Sequence, residues 1–242
     1  MSGPLHQFEV KPLINTPMTI GGYDFYFTNS SLFMVLAVLV SVLFVRFGMR
    51  SKSLIPGRMQ SMVELTHDMV ANLMKENIGD EGKKYFPFIF TLFIFVLFGN
   101  LLGMVPYGFT FTSHIIVTFA LAFFIFVTVT IIAFVKHGTH FFRFFLPEGI
   151  PFYIIPIFVP IEIISYFTRP ISLSVRLFAN MLAGHTLIKV MAIFTISMGA
   201  LGILPLLFNT LMIGFEIFVA VLQAYIFTLL SCLYLNDAVH MH

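Results

Sequence analysis

Five apolar runs, at about 30–50, 86–105, 112–136, 152–198 and 204–236, constrain this chain more than any other feature in it. Each is roughly as long as the ~20-residue helix needed to cross a hydrocarbon core of about 30 Å, or longer. Lipid offers the backbone no hydrogen bonds, so a crossing run must satisfy its own N–H and C=O groups, which an α-helix does. Composition agrees: 59% of the residues are hydrophobic, 10% are charged, and mean hydropathy is +0.98, against about 25% charged in a soluble domain. The predicted class is an all-α integral membrane protein with five transmembrane crossings. No internal repeat or low-complexity linker interrupts residues 1–242, so a single membrane domain is expected. Residues 1–28 are mixed and partly polar, without a basic start leading into an apolar run. The first apolar run therefore reads as a retained anchor rather than a cleaved signal.

Segment 57–78 follows a different pattern. Met59, Met62, Val63, Thr66, Met69, Val70, Leu73 and Ile78 recur near helical spacing, with Glu64, Asp68, Lys75 and Glu76 elsewhere. That periodicity predicts an amphipathic surface helix lying on the membrane. Loop charge then orients the crossings. Arg46, Arg50, Lys52 and Arg58 follow the first run, Lys75, Lys83 and Lys84 precede the second, and Lys136 and Arg143 separate the third and fourth. The loops near 105–114 and 199–205 have no lysine or arginine. The basic loops share one side, which places the N-terminus outside and the C-terminus inside. The net charge of +2 is too small to suggest nucleic acid. The single Cys232 excludes an internal disulfide and a multi-cysteine site, and His137 with His140 is a weak pattern, so no metal or other cofactor is expected. The 32 Phe, with no Trp, read as packing and lipid-facing surface.

The last two runs are too long for simple crossings. Residues 157–197 as a helix would span about 60 Å at 1.5 Å per residue, so a steeply tilted hairpin is expected over 152–240, turning near Gly202 and Pro205. Pro170 frees the carbonyl of Tyr166, with Thr168 and Ser172 placed to compensate. Arg176 lies within this apolar stretch. Its guanidinium does not lose its proton, and a charge at that depth costs roughly 2.5–3.5 kcal/mol on insertion scales. It therefore requires a partner carboxylate, a water-filled cavity, or both. Glu162, Arg169 and Arg176 are each seven residues apart and share a slowly drifting stripe that Asn180 extends. Glu216 and Gln223 share a face of the second arm by the same spacing. His185, nine residues after Arg176, points the opposite way. Arg169 reads as structural or interfacial, and Lys189 as a pairing, snorkelling or pathway residue.

These residues resemble subunit a of the F-type ATP synthase, of the mitochondrial and α-proteobacterial type. The similarity rests on Ser172-Leu-Ser-Val-Arg176-Leu-Phe-Ala-Asn180-Met-Leu-Ala-Gly-His185, on Glu216 with Gln223-Ala-Tyr-Ile-Phe227, and on Tyr234-Leu-Asn-Asp-Ala238. Phe27-Thr-Asn-Ser-Ser-Leu-Phe33 and Asn100-Leu-Leu-Gly-Met-Val-Pro-Tyr107 add to it. The resemblance implies a proton-translocating stator subunit, not catalytic on its own, in a bacterial plasma membrane or mitochondrial inner membrane. It implies a rotating c-ring, the peripheral-stalk subunit b, other synthase subunits and membrane lipids as partners. Arg176 would face the c-ring carboxylate. Asn180, His185, Glu216 and Gln223 would line or border the outer half-channel, with Glu162 in the inner one and Asp237 near its mouth. Having His at 185 and Glu at 216, where many bacterial relatives have the reverse, fits that type. Two other readings are a secondary ion-coupled transporter with its site in the hairpin and a purely structural membrane anchor. The first calls for paired inverted repeats, which the sequence lacks. The second gives no reason to hold charges at bilayer depth.

Overall fold

The computed structural model describes residues 8–13, 18–20, 23–50, 55–105, 108–138 and 153–240. Lys52, His140, Arg143 and residues 106–107 lie outside the described residues. Among the described residues there are six α-helices: α1 (Asn29–Gly48), α2 (Arg58–Ile78), α3 (Phe86–Gly103), α4 (Ile115–His137), α5 (Ile155–Ser197) and α6 (Ile203–Val239). All but α2 are long and apolar enough to cross a membrane. A short antiparallel hairpin, β1 (Met18–Ile20) with β2 (Tyr23–Phe25), precedes them and adds a small strand element to the expected helical fold.

Local chemistry sets the ends. Thr28 caps α1 through its side chain, which accepts from the Ser31 N–H at 3.3 Å. Prolines open α3 and α5 in the first turn, where their missing N–H has no helical acceptor anyway. Within the apolar runs, threonine hydroxyls donate back to carbonyls one turn earlier, as Thr130 does to Phe126 and Thr228 to Ala224. A hydroxyl so satisfied can sit in hydrocarbon at little cost.

Helix α5 is 43 residues long and α6 is 37, about 65 and 55 Å at 1.5 Å per residue. Both exceed a bilayer core of about 30 Å, so the hairpin tilts. A 3-10 turn at Gly199–Gly202 joins them, a few residues ahead of the expected Pro205, which instead falls inside α6. Gly202 is required there, because a Cβ would lie 2.2 Å from the Thr195 carbonyl oxygen. Helix α5 runs on through Pro160 as well as Pro170. The expected compensation at Tyr166 is not how the hydroxyls are used. Thr168 donates to Ile164 at 2.6 Å, because a helical threonine reaches back a full turn, and it is Ser174 that donates, to Ile171.

Helix α2 buries one face against α1, α3 and α6. That face is Gln60, Val63, Val70, Leu73, Met74 and Ile78. Met59 and Met62 of the apolar face are exposed, as are Glu64, Asp68, Lys75 and Glu76. The main apolar cluster joins α2 to α6, with Ile89, Val96, Ile125, Leu177 and Phe227 almost fully buried. Two sides emerge from its end contacts. Lys136 at the end of α4 pairs with Glu81 ahead of α3, and the His137 Nε2 lies 3.1 Å from the Ala238 carbonyl at the end of α6. On the opposite side lie the α5–α6 turn, the 3-10 turn Phe111–Ser113 and residues 8–13. The first side holds the basic residues, and the second is nearly free of them.

Candidate proton path in the hairpin

Arg176 is exposed on α5. Exposed apolar residues run along both long helices of the hairpin that carries it: Ile164, Ile171 and Val175 on α5, and Leu211, Phe215, Phe218 and Leu222 on α6. The positions step by three, four or seven residues, so each set forms one stripe along its helix. No hydrogen bond or ion pair joins Arg176 to the described residues. A permanent cation on a lipid-depth apolar surface marks where an anion from another molecule would meet this chain.

Behind that surface, toward the nearly uncharged side, polar groups converge. Asn180 Nδ2 donates to Gln223 Oε1 at 2.9 Å, which locks α5 to α6 one turn beyond Arg176. Further along, His185 Nδ1 lies 3.6 Å from Glu216 Oε1, within ion-pair range but beyond an ordinary hydrogen bond. Glu216 is 3% exposed and Gln223 2%. Both oxygens of Glu216 and the Gln223 amide nitrogen have no protein partner among the described residues. The sequence-derived grouping of Asn180, His185, Glu216 and Gln223 is therefore one spatial cluster on α5 and α6.

Three residues outside that grouping complete it. Thr110 Oγ1 is 2.9 Å from His185 Nε2 and 3.3 Å from the Gly103 carbonyl. A hydroxyl has one proton to give. If it goes to the carbonyl, the imidazole donates from Nε2 and turns its Nδ1 toward Glu216. Asn100 is fully buried, donates from Nδ2 to the Ala220 carbonyl at 3.3 Å, and keeps Oδ1 without a protein partner. Ala220 lies between Glu216 and Gln223 on α6, so Asn100 sits at the step between the two polar pairs. Gly184 makes room for the carboxylate: a Cβ there would meet Glu216 Oε1 at 2.6 Å. The Phe8 ring lies edge-on to His185 at 6.4 Å between centroids, so the N-terminal segment reaches over the cluster. That segment is pinned by Asn29, which donates from Nδ2 to the Glu9 carbonyl and accepts from the Lys11 N–H. At the start of α4, His114 stacks on Phe109, and burial holds its imidazole below the usual histidine range.

The basic half is built differently. Arg169 Nη1 donates to Asp237 Oδ2 at 2.8 Å, with the guanidinium 5.5 Å from the Tyr166 ring centre and 5.3 Å from that of Tyr234. Tyr166 in turn hydrogen-bonds Thr130 of α4 at 2.7 Å. Arg169 thus leaves the stripe it shares with Arg176 and ties α5 to α6, in keeping with a structural role. Glu162, one heptad earlier, is half-exposed and has no hydrogen bond or ion pair with the described residues; the same holds for Lys189. Asp237 and Glu162 are not brought into contact.

Residues 31–236 match the sequence model of a family described as ATP synthase A chain. Among curated proteins, the chain is 52% identical over 249 residues to ATP synthase subunit a of Paramagnetospirillum magneticum, covering all of both chains. It is 53% identical to that of Parvibaculum lavamentivorans, covering 98% of this chain and 93% of the relative. It is 52% identical to that of Rhodospirillum rubrum over the full length of both. These relatives are α-proteobacterial.

Proposed function

Since the chain belongs to the ATP synthase A chain family, we propose that its long hairpin forms two offset half-channels separated by Arg176 and facing a rotating c-ring. The chain is a multi-pass membrane subunit of the F-type ATP synthase that serves proton transport in the energy-transducing membrane, and it is not the catalytic subunit of that complex. The reading of its site rests on one observation. An unpaired arginine stands on the exposed apolar surface of α5 and α6, with a buried, under-bonded polar cluster on one side of it along the helices and Glu162 on the other.

In this scheme a proton enters from the nearly uncharged, outer side at His185 and Glu216. Their facing atoms exchange a proton with little net change in charge, so the pair titrates as a unit. It then passes Asn100 and the Asn180–Gln223 pair, whose free Oδ1 and Nε2 atoms can hold water. It reaches a c-ring carboxylate on the exposed surface and neutralises it, which lets that carboxylate turn into lipid. After nearly a full rotation the carboxylate meets the inner cavity and loses its proton near Glu162. Asp237, held by Arg169, frames that exit. Arg176 favours the ionised carboxylate and repels protons, so the two cavities do not short-circuit. Each proton falling through 100 mV supplies about 2.3 kcal/mol. Peripheral-stalk subunit b would hold the chain against the torque.

Replacing Arg176 with alanine tests this. The expected result is an assembled complex with no proton-coupled ATP synthesis, assayed in inverted vesicles with a dye for the proton gradient. Wild-type ATP-driven pumping by the assembled variant would overturn the reading. Arg176→Lys is expected to fail as well, because lysine lacks the planar fork and can deprotonate on burial.

A further inference from the structure

Away from the proton path, α1 and α3 part toward their basic ends. Ala37 is fully buried against α3 and the 3-10 turn, and Phe44 meets Phe98 edge-on at 5.2 Å. Beside that contact runs a groove of about 430 Å³, walled by Val38, Val42 and Val45 of α1 and Phe90 and Ile94 of α3. Val38 and Val42 are half or more exposed within it. Arg46 closes its basic end, and Arg50, two residues past the end of α1, borders an adjoining recess together with Arg46 and Phe47. Both guanidinium groups are exposed, and neither makes a hydrogen bond or ion pair with the described residues.

We propose that this groove is a binding site for an anionic glycerophospholipid of the basic-side leaflet, with an acyl chain in the groove and the phosphate held by Arg46 and Arg50. Depth supports it. Helix α1 has 20 residues, so it just spans a core of about 30 Å, and Arg46 in its last turn sits at headgroup level. Val38 lies eight residues back, about 12 Å deeper at 1.5 Å per residue, which is the depth of the upper half of an acyl chain. Charge supports it too. Two arginines bordering one recess repel each other until an anion lies between them, and guanidinium forks match phosphate oxygens in pairs. A zwitterionic headgroup brings its own cation and gives no such relief.

The test uses the intact complex, purified in detergent, washed, and analysed by mass spectrometry for phosphatidylglycerol and cardiolipin retained per complex. Three variants are compared with the wild type: Arg46→Gln with Arg50→Gln, Val38→Trp to fill the groove without altering charge, and a photo-crosslinking residue at Val42. The expected results are at least a fivefold loss of retained anionic lipid in each of the first two, and a lipid adduct at position 42. Equal retention in all complexes would overturn the proposal. So would retention lost by the arginine variant but kept by Val38→Trp, or equal retention of added phosphatidylcholine. An adduct at position 42 to another protein chain would also overturn it, showing that a protein covers the groove.

Discussion

The two halves of the α5–α6 hairpin treat their polar side chains in opposite ways. Toward the turn, Glu216, Gln223 and Asn100 are buried almost completely and keep atoms without protein partners. Toward the basic side, Arg169 meets Asp237, two tyrosine rings flank it, and Tyr166 bonds Thr130. An unsatisfied buried polar group costs about 1–3 kcal/mol, so several in one place would be a heavy burden on stability if that place were dry. The difference teaches that what separates the two ends is whether their polar groups are bonded to each other, more than how much charge they carry.

The largest effect should come from the titratable pair in the under-bonded half. Glu216→Gln and His185→Ala are each expected to cut proton uptake from the outer side by an order of magnitude or more while leaving assembly intact. The exchange His185→Glu with Glu216→His should recover more flux than either single change, because the 3.6 Å separation lets the two groups work as one unit. A double-mutant cycle on proton flux reads this directly. Strictly additive losses with no rescue would break the comparison, since the two groups would then be independent.

A smaller effect is expected at Gly184, which touches no proton. A methyl group at that position meets the Glu216 carboxylate, so Gly184→Ala should push the side chain off its present line. The expected loss is several-fold in flux, with a shifted pH profile and normal assembly, and Gly184→Val should lose more. An unchanged pH profile in both variants would mean that the close approach does not position the carboxylate.

Much of this was readable from the residues alone, for reasons that also mark the limit. Arg176 stood out because a permanent charge in an apolar run has few explanations. Glu216 and Gln223 shared a face because seven residues are close to two helical turns. Their closeness to His185 and Asn180 followed only once the turn was placed. Thr110 and Asn100 stayed hidden, since their partners lie 75 and 120 residues away and no local period encodes such contacts. Arg169 and Asp237, 68 residues apart, were each noticed but not as a pair. On α2 the sequence marked an apolar face but not which part of it meets the bundle: an apolar stripe tells which residues tolerate burial, and the neighbours of the helix decide which are buried. The β1–β2 hairpin did have a signal, Gly21-Gly22 between two short runs.

The smallest effect is expected in the well-bonded half. Arg169 and Asp237 are partly exposed, with side chains 22% and 41% accessible, and a pair so placed is worth at most about 1 kcal/mol after solvent screening. Asp237→Asn keeps a hydrogen-bond acceptor for Arg169 and leaves both tyrosine contacts in place. It should therefore change proton flux by less than about twofold and weaken retention of the subunit only slightly, within that same range. Glu162→Gln should act more strongly on release, because Glu162 has no partner among the described residues to hold its charge and sits one heptad before Arg169, on the proposed exit side. Measuring both variants under ATP-driven pumping, with the pH of the basic side varied, ranks them. If Asp237→Asn slows flux more than Glu162→Gln does, the proton leaves through the bonded cluster itself, and the division between an under-bonded half and a well-bonded half fails where it is most exposed to test.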